Sequence, residues 1–462
     1  MTGSTTPRVV VVGGGIAGIG AARRLAGSGV AVILLEASDR LGGCVRTVPF
    51  AGRRVDVGAE GLHAAAPEPL ELARELGLGS QLVPARRAAT WIATGRGLRA
   101  LPDGVGPAGP TRIAPLLRAR LLSPTGLARA ALEPLVPRAR STGDVAVSTA
   151  LGRRFGTQVV DRVVEPLLGG LHAGDLERLS LHSATPQLAA LLERHRSVVL
   201  ATRARTAGGA GLVTLDGGLA TLFEAFATEF PGTILLDTAA TTLVRTTGAA
   251  HRYRVYTADG ADHAADAVVL ATPVVPAAHL LAGLDPGLPA LLQPLRAATL
   301  GIVLLAYPAA VGALPALAGT GLLVPARARR PLKSATFLTT KWPHLAIDDR
   351  VLIRASVGRI DDDRVARLGD AALVTTVRRE LADLVGIRDE PTDVAVARWP
   401  ERMPQLEVGH RRRLDDLRDL LATHPGVVVA GAAFDGVGIA AALRSGNVAA
   451  EQVLATLRMD AA

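Results

Sequence analysis

The sequence predicts an α/β fold, and three observations support this prediction. An apolar run at residues 9–12 leads directly into a glycine-rich turn and then into a helical pattern. A second apolar run follows and ends at Glu36. The same order returns near the end of the chain, where the apolar residues 427–430 precede another glycine-rich turn and a helix that opens at Ile439. Short buried runs joined to helices in this way are typical of βαβ units.

The first turn carries glycines at the spacing of a dinucleotide-binding site. Gly13 permits the tight turn, Gly15 lets backbone N–H groups approach a pyrophosphate, and Gly18 lets the helix pack closely on the strand. Glu36 ends the second apolar run and is placed to accept a hydrogen bond from a ribose hydroxyl. The alternative is a glycine-rich turn without a ligand. The βαβ context favours dinucleotide binding.

The residues after Glu36 indicate which dinucleotide is bound. The segment "ASDRLGGCVRT" (37–47) contains a second glycine pair, Gly42 and Gly43, and "DVGAE" (56–60) follows it. This order resembles the glutathione-reductase-like, Rossmann-type FAD folds, and specifically their amine-oxidase-like branch. The resemblance implies FAD rather than NAD, with the glycine pair against the diphosphate and ribityl chain. For Arg40 and Arg46, a solvated basic loop is the alternative to a cofactor contact.

Composition excludes several classes of protein. The chain has 462 residues, of which 49% are hydrophobic and 20% charged, as in a globular protein with an ample core. The net charge of +9 comes mostly from arginine, because Lys333 and Lys341 are the only lysines. With few aromatics and no basic run, nucleic acid is not an expected partner. An anionic small molecule or an anionic membrane surface fits better, although compositional bias alone explains much of the charge.

Cysteine usage and hydropathy narrow the expected compartment. Cys44 is the only cysteine, so an intrachain disulfide and a cysteine metal cluster are both excluded. The polar residues 1–8 are too short for a signal peptide, and no uninterrupted apolar run reaches the length of a spanning helix. We expect a cytoplasmic protein whose contact with a membrane is at most peripheral.

The predicted domains are interleaved along the chain. We expect an FAD-binding domain formed by residues 1–62, 208–275 and 418–462. A helical subdomain would occupy 63–187, and an α+β substrate-binding domain 188–207 and 276–417. Residues 113–122 mix apolar and arginine positions. They could form an interfacial element of a membrane-facing subdomain, although an ordinary amphipathic core helix is favoured.

Several longer segments resemble one family. They are "VVEPLLGGLHAGDLERLSLHSATPQL" (163–188), "TLDGGLATLFEAFA" (214–227), "SATFLTTKWPH" (334–344), "RWPERMPQLEVGH" (398–410) and "AGAAFDGVGIAAALRSGNVAAEQV" (430–453). Together they are similar to the bacterial coproporphyrinogen III oxidase and protoporphyrinogen oxidase family of heme biosynthesis. The resemblance implies a six-electron oxidation of a porphyrinogen, with FAD as cofactor, dioxygen as oxidant and hydrogen peroxide as product. It also suggests a ferrochelatase or another heme-biosynthesis enzyme as a partner.

The glycine turns and the resemblance together predict the cofactor-binding residues. They are Gly13, Gly14, Gly15, Ile16, Ala17, Gly18, Glu36, Ala37, Arg40, Gly42, Gly43, Cys44, Gly58, Ala59, Glu60, Gly61, Ala240, Trp399, Gly431, Val437, Gly438 and Ile439. Trp399 has a second interpretation as a core aromatic. Cys44 departs from the Lys, Arg or Trp usual in the family, and Phe434 replaces a common Tyr. The segment before Pro67 lacks the family's frequent basic pair.

No catalytic side chain or metal site is predicted, because the cofactor performs the redox chemistry. His63 and His172 are titratable candidates, but structural roles are favoured for both. Lys341 and Trp342 could lie near the substrate, or "KWPH" could be a plain turn. Buried propionates require partners, and arginine is suited to pairing with them. The positive charge slightly favours coproporphyrinogen III, with four carboxylates, over protoporphyrinogen IX, with two.

Three other functions remain open at this point. An amine oxidase would use an aromatic cage, which a 3% aromatic content supplies poorly. A phytoene-type desaturase would need a long apolar tunnel and a stronger membrane patch. A non-catalytic FAD-binding scaffold of heme biosynthesis is favoured only by the missing basic pair.

Overall fold

A computed structural model describes residues 6–106, 109–137, 143–203, 211–247 and 250–461. The strands are β1 Arg8–Val12, β2 Ala31–Leu35, β3 Thr47–Phe50, β4 Arg53–Asp56, β5 Leu62–His63, β6 Leu82–Pro84, β7 Thr90–Thr94, β8 Gly97–Ala100, β9 Val105–Gly106, β10 Gly109–Pro110, β11 Leu212–Leu215, β12 Thr233–Leu235, β13 Ala240–Arg245, β14 Tyr253–Thr257, β15 Asp262–Ala265, β16 Ala267–Leu270, β17 Ala297–Pro308, β18 Gly321–Leu323, β19 Leu332–Phe337, β20 Arg350–Val357, β21 Asp393–Pro404 and β22 Val427–Val429.

The α-helices are α1 Ile16–Ala26, α2 Pro67–Glu75, α3 Ala114–Ala119, α4 Pro124–Ala131, α5 Val147–Phe155, α6 Thr157–Val159, α7 Gly170–His172, α8 Leu181–Ala184, α9 Pro186–Arg194, α10 Val198–Arg203, α11 Thr221–Glu229, α12 Val274–Ala282, α13 Gly287–Leu292, α14 Leu338–Lys341, α15 Arg364–Arg367, α16 Asp370–Val385, α17 His410–Leu421, α18 Ala432–Asp435 and α19 Ile439–Ala461. A π-helix spans Val160–Gly169, and short 3₁₀ turns cover Gly79–Gln81, Glu133–Leu135, Ala309–Ala313, Pro315–Ala318, Ala326–Ala328 and Pro343–Leu345.

A five-stranded parallel sheet forms the first layer, in the order β12-β2-β1-β16-β22. Its strands come from the beginning, middle and end of the chain, as the repeated strand–turn–helix pattern predicts. Both faces of the sheet are covered, so the four valines of β1 are almost completely buried. Helices α1 and α19 pack closely on one face, because Gly446 of α19 leaves no room for a side chain next to the Ala17 carbonyl.

A seven-stranded sheet forms the second layer, in the order β21-β17-β20-β19-β18-β7-β8. One face packs under α16, through Leu373, Val377 and Leu381. The opposite face carries Ile302, Leu304 and Leu352 and packs against the β3–β4 hairpin. The second glycine-rich segment of the sequence is therefore held between the two sheets.

The segment predicted to be helical, 63–187, differs from expectation at several places, because it also contains β6, the β7–β8 hairpin and the β9–β10 pair. Residues 90–94 and 97–100 form the β7–β8 hairpin and extend the seven-stranded sheet through parallel pairing with β18. The apolar run in Thr90–Thr94 is too short to be recognised as a strand from the sequence. The rest of the segment is largely helical and has a core of its own, to which α5 and the π-helix contribute.

The α/β expectation is confirmed by these two sheets and their covering helices. Among the residues that the structure describes, every helix is too short or too polar to cross a lipid bilayer. Contact of the helical subdomain with a membrane surface stays a prediction.

Candidate functional site

The turn between β1 and α1 has the geometry that its glycines predict. Gly13 has φ +106°, and a Cβ there would lie 2.6 Å from the Ala271 carbonyl oxygen. A Cβ on Gly18 would lie only 1.7 Å from the Gly13 carbonyl oxygen, so helix and turn are in direct contact. Gly15 is different, because a Cβ there would meet none of the described residues beyond its own chain neighbours within 4 Å. The backbone in front of α1 therefore borders open space, where N–H groups and the helix dipole favour an anion.

Glu36 is held at the edge of this turn by donors from the chain. Its Oε2 accepts from the Gly14 amide at 2.7 Å. Its Oε1 accepts from the Ser38 amide at 2.9 Å and from the Ser38 hydroxyl at 2.7 Å. A carboxylate has about four acceptor positions, so capacity remains for a ribose hydroxyl. Ala37 follows directly.

The second glycine pair packs against the first turn. The Gly42 amide donates to the Gly14 carbonyl at 2.9 Å. Gly42 and Gly43 have φ of +115° and +55°, and a Cβ on Gly43 would lie 3.3 Å from the Gly15 Cα. The backbone of the second loop therefore lies next to the open side of the β1–α1 turn, an arrangement that suits an elongated cofactor.

Arg40 shapes this loop with its guanidinium. It donates to the carbonyls of Leu41, Val45 and Gly43, each at 3.0 Å. Burial, followed by the nearby positive charge of Arg46, lowers the pKa of Arg40 from its usual value. Its side chain is therefore tied to the loop rather than freely solvated, and a direct contact with the cofactor stays a prediction.

The segment containing Gly58, Ala59, Glu60 and Gly61 lies against the loop that contains Cys44. The Ala59 amide donates to the Cys44 carbonyl at 3.2 Å, and a Cβ on Gly58 would lie 1.8 Å from the same oxygen. Only glycine fits at position 58. The Cys44 side chain itself is exposed, so its main chain, rather than its thiol, is what the contact uses.

Glu60 is the centre of a charged cluster that the sequence did not predict as such. Its Oε1 accepts from Lys341 Nζ at 2.5 Å and from Trp342 Nε1 at 3.3 Å. Its Oε2 accepts from Thr336 Oγ1 at 3.0 Å and from Arg354 Nη1 at 3.2 Å. Burial would raise the pKa of Glu60, but the charges of Lys341 and Arg354 outweigh it and lower the pKa to about 2. Glu60 is thus ionised at any physiological pH.

Arg354 connects the seven-stranded sheet to the cofactor-side turn. Its Nε donates to the Asp56 carbonyl at 3.1 Å and its Nη2 to the Gly58 carbonyl at 2.6 Å. Sequence reasoning missed Arg354. It lies on a long apolar strand, β20, and nothing in the sequence distinguishes it from the many other arginines of the chain. The segment "KWPH" is both a turn and part of this cluster, through Lys341 and Trp342.

Asp56 lies beside this cluster and behaves differently from Glu60. Burial raises its pKa to about 6, although hydrogen bonds from Thr47 and the Leu219 amide oppose the rise. The Thr47 hydroxyl donates to its Oδ1 at 2.5 Å. These contacts fix the carboxyl group between the β3–β4 hairpin and the start of α11.

Trp399 is held in one orientation on β21. Its Nε1 donates to the Val57 carbonyl at 2.8 Å, and its ring contacts the apolar cluster of Ala298 and Leu300. Trp399 therefore packs like a core aromatic next to the predicted cofactor segment, and its contact with the cofactor stays a prediction.

The remaining predicted residues gather at the carboxyl edge of the parallel sheet. Ala240 begins β13, two residues after Thr238, whose amide donates to the Glu36 carbonyl at 2.8 Å. Gly431 and Gly438 have φ of +125° and +112°, and a Cβ on Gly438 would meet no atom within 4 Å. Val437 and Ile439 flank Gly438 at the start of α19. Open backbone thus precedes this helix as it precedes α1.

The two histidines singled out from the sequence lie apart. His63 is exposed on β5, paired in register with Leu212. His172 is 3% exposed, and burial followed by the charge of Lys333 lowers its pKa to about 4. His172 is therefore neutral and structural in character, as favoured from the sequence.

A cleft of about 810 Å³ opens between the start of α12 and the second sheet. Pro400, Glu401 and Arg402, which directly follow Trp399, form part of its wall. Arg296 and Arg359 also line it. The volume lies within the ordinary range for small-molecule sites.

These features define a class of protein. The residues present fit a dinucleotide cofactor, since open backbone faces the starts of α1 and α19 and Glu36 lies beside the first turn, where it could accept from a ribose hydroxyl. No cluster of His, Cys, Asp and Glu in the described ranges could hold a metal ion. The fold and the site are those of a dinucleotide-binding protein.

Comparison with known proteins specifies the family. Residues 16–454 match the family model described as flavin containing amine oxidoreductase. The chain is 31% identical to the coproporphyrinogen III oxidase of Bacillus subtilis, covering 97% of this chain and 98% of that protein. It is 32% identical to the coproporphyrinogen III oxidase of Mycobacterium tuberculosis, covering 98% of each. A crystal structure of a putative protoporphyrinogen oxidase from Exiguobacterium sp. 255-15 superposes with a TM-score of 0.87, at 29% identity over 99% of this chain and 100% of that one.

The chain therefore belongs to the flavin containing amine oxidoreductase family and, within it, to the group of the coproporphyrinogen III oxidases. The resemblance inferred from the sequence segments is confirmed, and FAD is the cofactor. Putrescine oxidase shares the fold alone, at a TM-score of 0.69 and 17% identity.

Proposed function

We propose that this protein oxidises coproporphyrinogen III to coproporphyrin III, removing six electrons and six protons with dioxygen as the final acceptor. The observation that carries the proposal is similarity over the full length to several coproporphyrinogen III oxidases, 31% over 97% of the chain in the Bacillus subtilis case. The overall balance is one porphyrinogen and three dioxygen molecules giving one porphyrin and three hydrogen peroxide molecules.

The FAD would be held by the two glycine turns, by Glu36 and by the backbone before α19. Bound FAD supplies a two-electron acceptor that dioxygen can reoxidise, so three turnovers complete one porphyrin. The protein's own contribution is position, dryness and charge. Trp342 is 1% exposed and helps to keep water from the Glu60 cluster.

The Glu60 cluster is close to neutral at pH 7. Glu60 and Asp56, whose pKa of about 6 leaves it mostly ionised there, offset the two cations Lys341 and Arg354. The cluster therefore holds the predicted cofactor segment against the second sheet, through the bonds from Arg354 to the Asp56 and Gly58 carbonyls, rather than selecting an anionic substrate.

The cleft at Arg402 is the substrate entrance in this proposal. Its volume of about 810 Å³ suits a macrocycle. Its wall carries three cations, Arg296, Arg359 and Arg402, together with four carboxylates, Asp361, Asp362, Asp363 and Glu401. Arg296 is already paired with Asp361 and Glu407. The other two arginines are therefore better placed to meet propionates.

Protoporphyrinogen IX is the second candidate substrate. It is favoured by the Exiguobacterium structure, which is named a putative protoporphyrinogen oxidase, and by 27% identity to the protoporphyrinogen oxidase of Bos taurus. This substrate carries two carboxylates instead of four, so it would use fewer of the cations.

The test is oxidation of each porphyrinogen by purified holoprotein in air, followed by porphyrin fluorescence and peroxide release. We expect faster porphyrin formation from coproporphyrinogen III, with three peroxides per porphyrin. The control is the same protein after removal of FAD. Equal rates with and without FAD-loaded protein, for both substrates, would contradict the proposal.

The domain boundaries and the partners remain part of this proposal. We propose that the parallel sheet is the FAD-binding domain and the seven-stranded sheet the substrate domain. Leu117 and Leu135 of the helical segment are 61% and 67% exposed, a surface that a membrane or a ferrochelatase could cover. Co-sedimentation with anionic vesicles, and with a ferrochelatase, tests each separately.

A further inference from the structure

One buried cation in the second sheet has no counter-charge. Lys333 lies on β19 and is 6% exposed. Within the described residues, its Nζ has one hydrogen-bond acceptor, the Gly170 carbonyl at 3.0 Å. An ammonium group has three donors, and burying a charge without a partner is costly. Lys333 is therefore set up to receive an acceptor that the chain itself does not supply.

The strand carries Lys333 on a bulge. The pairing of β19 with β20 shifts between Leu332 and Ser334, so Lys333 is the extra residue. A bulge re-aims a side chain and is frequent next to active sites. Leu332 and Ala335 both contribute to the core beneath α16. The bulge lets Lys333 leave that core and turn toward the face that carries Thr336.

That face is the one that meets the cofactor segment. Thr336, three residues further along β19, donates to Glu60. Three residues of strand span about 10 Å, so Lys333 lies roughly that far from the Glu60 cluster. A macrocycle that reaches the cluster with its ring can reach Lys333 with a side arm.

Two further buried nitrogen atoms near Lys333 lack hydrogen-bond partners among the described residues. His172 follows Gly170 by two residues, and its Nδ1 has no hydrogen-bond partner. Arg359 is a wall residue of the 810 Å³ cleft, and its buried Nε also has none. Arg359 Nη2 donates to the Val324 carbonyl at 2.5 Å, and the Val324 amide donates to the Lys333 carbonyl at 3.0 Å. Val324 thus contacts both residues, through the main chain of Lys333 and through the guanidinium of Arg359.

Other cations of this region already have carboxylate partners. Arg354 pairs with Glu60, and Arg296 pairs with Asp361 and Glu407. Lys333 and Arg359 have no such ion pair among the described residues, and the charges acting on Lys333 are those of Arg359 and Arg354, both positive.

We propose that Lys333, together with Arg359, binds one propionate carboxylate of the porphyrinogen and so determines its orientation in the cleft. The proposal rests on the proposed function and names a part of its substrate site. The carboxylate accepts hydrogen bonds from Lys333 Nζ and Arg359 Nε, which satisfies both buried donors at once.

The titration of Lys333 gives the proposal a second readout. Burial, followed by the charges of Arg359 and Arg354, lowers the pKa of Lys333 to about 7. Five charged or titratable groups surround it. Arg354 and Arg359 lie on the sheet side, neutral His172 lies on α7, and ionised Glu60 lies across the cofactor turn. Glu165 lies on the π-helix, and burial raises its pKa. A carboxylate binds the protonated lysine, so affinity is highest below pH 7 and falls as pH rises through and above 7.

The experiment compares holoprotein with the variant Lys333→Met, using coproporphyrinogen III and its tetramethyl ester. We expect the variant to raise KM for the acid on the order of 10- to 100-fold, the usual value of a charged hydrogen bond, with kcat little changed. The ester lacks the carboxylates, so its KM should be the same for both proteins. Lys333→Arg should recover part of the loss, because it keeps the charge.

A purely structural role of Lys333 can be distinguished from carboxylate binding by the melting temperature and the FAD content of Lys333→Met. Met fits a buried position without a charge to compensate, so melting temperature and FAD content should be maintained. Unchanged KM for the acid in Lys333→Met overturns the inference while leaving the proposed function intact. Absence of porphyrin formation by unmodified holoprotein overturns the proposed function instead.

A measurement on the unmodified protein complements the variants. Coproporphyrin III, titrated into holoprotein and followed by its fluorescence, should bind more weakly at pH 8.5 than at pH 6.5. The tetramethyl ester should show no such dependence. Affinity for coproporphyrin III that is flat across pH 7 overturns the inference even if Lys333→Met fails to fold.

Discussion

Replacing Glu60 by Gln tests whether the Glu60 cluster holds the two sheets together. The change removes the negative charge that faces Lys341 and Arg354 and keeps the shape of the side chain. The pKa of Glu60 falls from an ordinary 4.5 to about 2, and this difference of about 2.5 corresponds to roughly 3 kcal/mol. The Glu60 side chain is 13% exposed, so little of this is lost to solvent screening. We expect Glu60→Gln to lower the free energy of unfolding by about 3 kcal/mol.

The assay is urea unfolding of the holoprotein at pH 7.5, followed by flavin fluorescence and by tryptophan fluorescence. Glu451→Gln is the matched control, because Glu451 pairs with Arg24 at the surface with both side chains about half exposed. An exposed pair contributes about 0–1 kcal/mol. A Glu60→Gln loss no larger than that of Glu451→Gln would refute the reasoning. The wild-type advantage should also disappear as pH falls from 4.5 toward 2, where Glu60 becomes protonated.

Three further substitutions test other parts of the site. Gly15→Val should leave the fold intact, because φ is −72° and none of the described residues beyond the chain neighbours lies within 4 Å of the new Cβ. It should reduce FAD affinity at least about tenfold (about 1.4 kcal/mol), because the side chain fills the cofactor space. Gly95→Val, which is equally unobstructed, is the control, and equal flavin absorbance at 450 nm in both variants would contradict the prediction. Asp56→Asn should raise the free energy of unfolding at pH 8 by up to about 3 kcal/mol. The pKa of the Asp56 carboxyl is raised from 3.8 to about 6, so the wild-type protein loses stability as pH rises through that window. A variant that is less stable than the wild-type protein at pH 8 would contradict this prediction. Trp399→Phe should cost about 1 kcal/mol and change the flavin spectrum, because it leaves the Val57 carbonyl without its donor; an unaltered spectrum would place Trp399 in the core only.

Local patterns carried most of what the sequence predicted. Gly13, Gly18 and Glu36 act over one strand, one turn and one helix, so spacing along the chain is enough to assign them. Trp399 and Ala240 are different, because only resemblance to a family placed them near the cofactor.

Contacts between distant segments were not predictable. Arg354 and Thr336 reach Glu60 across more than 270 positions of sequence, and nothing in their own segments marks them. The bulge at Lys333 depends on how β19 pairs with β20. The β7–β8 hairpin was missed because its partner, β18, lies more than 200 residues further along the chain.

The order of strands in the parallel sheet has a consequence for biosynthesis. β22 is an edge strand drawn from residues 427–429, and α19, which packs on α1, follows it. Nearly the whole polypeptide must therefore leave the ribosome before α1 can pack against α19. Pairings this distant form slowly and leave apolar surface exposed in the meantime. Newly made chains should depend on chaperones until translation ends, and the vitamin-derived cofactor should be acquired only after release.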